Sequence, residues 1–167
     1  KIIKKITYLL LIAIFASCGS SNDNKQNNVE NQIQTEVAEV EKNWEEFTIG
    51  AIGNTMAEMK YDVTNITVNE GSWVRIILVN EGVDLAMLHN IVFVNYGTRK
   101  EVASEAITAG RAAKYVPNNS NVIAASELAN PGETITLEFE APKKGNYEFI
   151  CTYPGHSEIM RGYFFVK

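Results

Sequence analysis

The sequence predicts an all-β fold, a Greek-key β-sandwich, and three observations carry that expectation. From Phe47 onward the apolar residues fall into short alternating or continuous runs of strand length. Gly-, Pro- and Asn-containing turns separate these runs, as in Asn69-Glu70-Gly71, Asn80-Glu81-Gly82 and Pro131-Gly132. No strand–helix–strand alternation occurs, which argues against a parallel α/β sheet.

Taken in order, Phe47-Thr48-Ile49-Gly50-Ala51-Ile52 reads as the first strand and Ile66-Thr67-Val68 as the next. Trp73-Val74-Arg75-Ile76-Ile77-Leu78-Val79-Asn80 is long and apolar enough to lie centrally. Further strands are expected over 89–95, 134–140, 146–151 and 162–167, with Lys143-Lys144-Gly145 as a turn. One insert departs from the pattern. Over 98–115, Val102, Ala106, Ile107, Ala109 and Ala113 suggest a helix with Thr98 as N-cap, interrupted or ended at Gly110. Residues 116–121 read as loop, and 122–128 carry no decisive period.

Ahead of the sandwich, Lys1, Lys4 and Lys5 precede an apolar run over 6–15 that is too short to span a bilayer comfortably. Residues 1–17 therefore read as an export signal. Ala16-Ser17-Cys18-Gly19 resembles a bacterial lipobox, with Phe15 in place of the usual leucine, so Cys18 is the expected lipidation site. A secretory signal cut elsewhere is the alternative. Residues 18–46 form an expected acidic tether, poor in apolar residues at first. Val29, Ile33, Val37, Val40 and Trp44 then recur at helical spacing, as either a partly helical stalk or a docking helix. The remaining 47–167 is the expected globular domain.

The chemistry concentrates in Cys151-Thr152-Tyr153-Pro154-Gly155-His156-Ser157-Glu158-Ile159-Met160. A thiolate, an imidazole and a thioether on one inter-strand loop are soft ligands for a single copper ion. The chain has only 2 histidines, and the second, His89, opens the apolar run Asn90-Ile91-Val92-Phe93-Val94. Two imidazoles and a thiolate with a weak axial thioether serve both Cu(I) and Cu(II), which makes His89, Cys151 and His156 the strong ligands and Met160 the axial one. Taken singly, each has a plainer reading: buried Cys or Met as core filling, His89 as a loop residue. Their joint spacing favours the metal.

With Met87-Leu88-His89-Asn90 and the run from Cys151 to Val166 in view, the chain resembles a cupredoxin of the azurin and auracyanin group. The Cys-x4-His-x3-Met spacing and Tyr153-Pro154-Gly155-His156 carry that resemblance. It implies one type 1 copper, a helical flap on the sandwich, and Asn90 and Thr152 tying the two ligand loops together. It implies a candidate fifth contact from the Leu88 carbonyl, where the family often has glycine. It further implies that His156 protrudes through an apolar docking patch, for which Met87, Leu88, Tyr153, Pro154 and Gly155 are the local candidates. With Cys18 acylated and Cys151 on copper, the 2 cysteines form no disulfide, a departure from azurins that is more like auracyanin.

A formal charge of −5 argues against a nucleic-acid partner, which needs a basic face. An enzyme reading would require an open metal position or a second copper centre, and neither motif is present. The expected function is one-electron carriage between c-type cytochromes or membrane quinol-oxidising or oxidase complexes, with the carrier lipid-anchored in a bacterial cell envelope. A copper-binding or delivery lipoprotein is the alternative.

Overall fold

The computed structural model describes residues 42–167; the expected export signal over 1–17, Cys18 and the apolar stripe over 29–40 lie outside the described residues. Among the described residues nine strands form two sheets. β1 (Trp44–Ile52), β2 (Lys60–Tyr61), β4 (Trp73–Asn80) and β7 (Thr134–Glu140) make the first, in the order β2-β1-β4-β7. β3 (Asn65–Val68), β5 (Val92–Asn95), β6 (Val122–Ala125), β8 (Gly145–Ile150) and β9 (Arg161–Val166) make the second, in the order β3-β9-β8-β5-β6. Pairings β1–β4 and β3–β9 are parallel and the others antiparallel. The expected two-sheet sandwich is what forms.

Alternation along β4 explains its place. Val74, Ile76, Leu78 and Asn80 are buried while the residues between them are half-buried, so one face meets the opposite sheet. Phe93, Phe139, Phe149 and Phe164 meet in the core, with Phe93 5.0 Å from Phe164 edge to face and 4.8 Å from Phe139. Gly162 lets β9 pass close to this cluster. A Cβ there would stand 2.2 Å from Phe149 Cζ and 2.6 Å from the Thr64 carbonyl.

Four expectations need correction. The domain begins before residue 47: Trp44, Glu45 and Glu46 belong to β1, paired with Trp73, Val74 and Arg75, so Trp44 lies on a strand and not on a helical stripe. Its acidic flank is matched, since Arg75 bonds Glu46 at 3.0 Å and Glu138 at 2.7 Å. Next, β5 starts at Val92 rather than His89, which makes only an isolated bridge to Ala129. Thirdly, β2 and β6 are strands the sequence pattern did not reveal. Finally, the helix α1 (Arg99–Ala109) has Thr98 at its N-cap position, but the Thr98 hydroxyl donates backward to the Asn95 carbonyl at 2.7 Å instead of capping.

The rest of the insert follows expectation. α1 buries Val102 against Val92, Val94 and Ile150, buries Ala106 as well, and ends at Gly110, where a 3-10 turn (Arg111–Ala113) follows. Lys114 and Tyr115 then both adopt left-handed backbone, φ 56° and 57°. Such conformations are uncommon without glycine and need surrounding structure to hold them.

Candidate metal centre

Both ligand-bearing segments lie where strands give way to loops. β8 ends at Ile150, and the next residue, Cys151, is fully buried and unpaired with any other cysteine among the described residues. The loop closes on itself before β9 begins. Cys151 N–H donates to the Met160 carbonyl at 2.9 Å, and Met160 N–H donates to the His156 carbonyl at 2.8 Å. His89 is anchored separately: its N–H donates to Ala129 at 3.2 Å, and its carbonyl accepts from Ala129 at 2.7 Å. The buried Asn80 at the end of β4 supports this segment by donating to the Met87 and Ala129 carbonyls at 2.7 and 3.1 Å.

These loops bring three donor atoms together. His89 Nδ1 and His156 Nδ1 lie 3.2 Å apart, and Cys151 Sγ is 3.9 Å from the first and 3.7 Å from the second. An ion at about 2.0 Å from nitrogen and about 2.3 Å from sulfur can reach all three from close to their plane. The triangle therefore fits one transition-metal ion. All three residues are buried.

Electrostatics at the site suits a cation. Burial lowers both imidazoles to about 4, with the neighbouring His156 adding to the effect on His89. Neutral rings keep their lone pairs available at neutral pH. Burial pushes the Cys151 thiol up to about 11 against the opposing hydrogen bonds of Asn90, Tyr153 and Tyr61, so ligation has to displace its proton. His89 Nε2 is buried with no hydrogen-bond partner among the described residues.

Asn90 joins the two ligand loops as expected. Its Nδ2 donates to Thr152 Oγ1 at 2.8 Å and to the Lys114 carbonyl at 3.0 Å, while its Oδ1 accepts from Thr152 N–H at 2.9 Å. Met160 is fully buried in the same core cluster as Cys151. The Leu88 carbonyl shares a peptide with the His89 N–H, and a trans peptide directs it away from Ala129.

The expected docking patch is partly wrong. Met87 and Leu88 are each only 6% exposed, because the 84–88 turn, tied by Ala86 N–H to Asp84 Oδ1 at 2.8 Å, folds them inward. His156 does not protrude; it is 1% exposed, with Tyr153 packed 4.8 Å from its ring. Tyr153 and Pro154 are half-buried and Gly155 is exposed. Apolar exposure comes instead from residues that include Met56, Val83 and Leu85, at 48%, 77% and 86%, and Ile159 of the ligand loop, at 46%. Met56 Cε lies 3.1 Å from where a Gly155 Cβ would stand, and Val83 N–H donates to Asn54 Oδ1 at 2.8 Å, so these loops adjoin the ligand loop. Tyr115, 5.1 Å from Tyr153 edge to face, was also missed. An isolated tyrosine or methionine in a loop leaves no periodic trace.

Residues 48–167 match the copper binding proteins of the plastocyanin/azurin family. The chain belongs to that family. Auracyanin-A of Chloroflexus aurantiacus is 40% identical over 114 residues, covering 66% of this chain and 69% of that protein. Azurin-2 of Alcaligenes xylosoxydans xylosoxydans is 30% identical over 111 residues, 62% of this chain and 86% of its own. Among solved structures, auracyanin A, described as a "blue" copper protein from the same Chloroflexus species, superposes with a TM-score of 0.67 at 36% identity, covering 74% of this chain and 99% of its own. This plastocyanin/azurin family member is thus a type 1 copper electron carrier, and His89, Cys151 and His156 are arranged as its copper site. Cupredoxins as a class carry electrons rather than catalyse reactions.

Proposed function

We propose that this cupredoxin carries single electrons between c-type cytochromes or membrane quinol-oxidising or oxidase complexes while lipid-anchored through Cys18 in a bacterial cell envelope. The observation that supports carriage most directly is the buried triangle of two Nδ1 atoms and one Sγ, spanned by 3.2, 3.7 and 3.9 Å. His89, Cys151 and His156 would hold copper there, and the ion would supply one-electron chemistry as Cu(I) or Cu(II). The protein's part is to keep the donors fixed and water out, which the loop closure and complete burial support.

Met160, whose backbone is bonded to both Cys151 and His156, would supply the weak thioether contact, and the Leu88 carbonyl is the candidate for a further one. Partner contact is assigned to Met56, Val83 and Leu85 with Tyr153, Pro154 and Gly155, an apolar surface of the kind transient redox encounters use. The Ala16-Ser17-Cys18-Gly19 run supports the anchor. The primary test is visible absorption and EPR of the Cu(II)-loaded protein beside Cys151→Ser. An intense blue band with narrow hyperfine splitting, absent from the variant, is expected; a pale complex in the unsubstituted protein would refute the assignment.

A further inference from the structure

Tyr61 lies on the two-residue strand β2, paired with Ala51 of β1, and is only 2% exposed. Its ring packs 5.6 Å from Phe149. The other large aromatic side chains buried in this core are phenylalanines: Phe93, Phe139, Phe149 and Phe164. Packing alone would be met by a phenylalanine here, so the hydroxyl calls for its own account; a buried phenol also needs a partner.

The hydroxyl reaches from the first sheet to the ligand loops. It donates to the Asn90 backbone carbonyl at 2.5 Å and stands beside the Cys151 sulfur. The Asn90 N–H stands beside that sulfur as well, and its side chain is held by Thr152 and Lys114. Asn90 is thus gripped on its side-chain face by the ligand loop and the insert, and on its backbone face by Tyr61.

We propose that Tyr61 is a positioning residue for the ligand sulfur: its hydroxyl fixes the Asn90 backbone, and with it the hydrogen bonding that the sulfur receives. Hydrogen bonds to a coordinating thiolate withdraw electron density from it and favour the reduced metal. Losing the hydroxyl should therefore make the sulfur a stronger donor and stabilise Cu(II). This inference rests on the copper reading of the site.

The test measures reduction potential and the visible band in the full, copper-loaded chain, comparing the unsubstituted protein, Tyr61→Phe, and a variant with 3-fluorotyrosine at position 61. Tyr61→Phe is expected to shift the Cu(II)/Cu(I) equilibrium about threefold toward Cu(II), about 28 mV lower for one electron. The fluorinated phenol, a stronger donor of nearly the same size, is expected to shift it the other way. Lost stability in Tyr61→Phe with both potentials unchanged would make Tyr61 a purely structural residue and overturn the inference. Should Tyr61→Phe fail to fold, the fluorinated variant decides by itself, an unchanged potential again overturning the inference. Absence of the blue band from the unsubstituted protein would instead strike at the copper reading.

Discussion

Asn90 bonds in several directions at once, to Thr152, to Lys114 and to Tyr61, while standing next to the ligand His89. Replacing it with alanine strands the Thr152 N–H and the Lys114 carbonyl, each costly to leave unpaired. Asn90→Ala is expected to destabilise the protein by about 2 kcal/mol and to shift the potential while keeping the blue colour, as read by thermal unfolding and voltammetry. Unchanged melting and potential would contradict that. Residues of this kind differ in how legible they are. His89, Cys151 and His156 were readable because three uncommon residue types recur at fixed offsets. Asn90 and Thr152 were readable through resemblance. Tyr61 and Tyr115 were not, since each acts through a contact between segments distant in sequence. The inward turn of Met87 and Leu88 was hidden because Val83, Leu85, Met87 and Leu88 are all apolar, and only the Asp84 turn decides which face inward.

Among the elements, the strands with clean alternation were placed accurately: β4 and β7 match their expected ranges. β2 has two residues, too few for any period, and β6 is half-buried throughout, which erases the inside–outside contrast. β1 extends three residues ahead of its expected start at Phe47, because the charged Glu45 and Glu46 resemble the acidic segment before them. The tightest inter-element fit is Gly162 on β9, where Phe149 of β8 and the Thr64 carbonyl occupy the space of a side chain. Overpacking such a position typically costs about 1–3 kcal/mol. Gly162→Ala is expected at the upper end of that range in denaturant unfolding, because one of the two obstacles is backbone. A loss under 0.5 kcal/mol, the ordinary surface value of about that size, would show that β9 can shift freely.

For the whole molecule, tuning and delivery are separable. Leu85→Asp, on an exposed turn, is expected to slow electron exchange with a c-type cytochrome about tenfold, the loss of one interface residue worth more than about 1 kcal/mol, with the potential unchanged. Cys18→Ala is expected to leave that soluble reaction alone and reduce turnover with membrane-embedded complexes. Stopped-flow kinetics and membrane-vesicle assays distinguish the two, and a potential shift in either variant would refute the separation. The Greek-key class was legible because strand lengths and turns are local properties, whereas the site's surroundings depend on which loops meet at one end of the sandwich. The self-closure of the ligand loop carries one more implication. β8 and β9 remain paired up to Ile150 and Arg161, and directly beyond them Cys151 N–H meets the Met160 carbonyl. The loop's length is therefore set by its own closure and not by the strands, so evolution can lengthen or shorten it and vary the metal chemistry on the same sandwich, provided the ties from Thr152 to Asn90 and from Tyr153 to Tyr115 are kept or replaced.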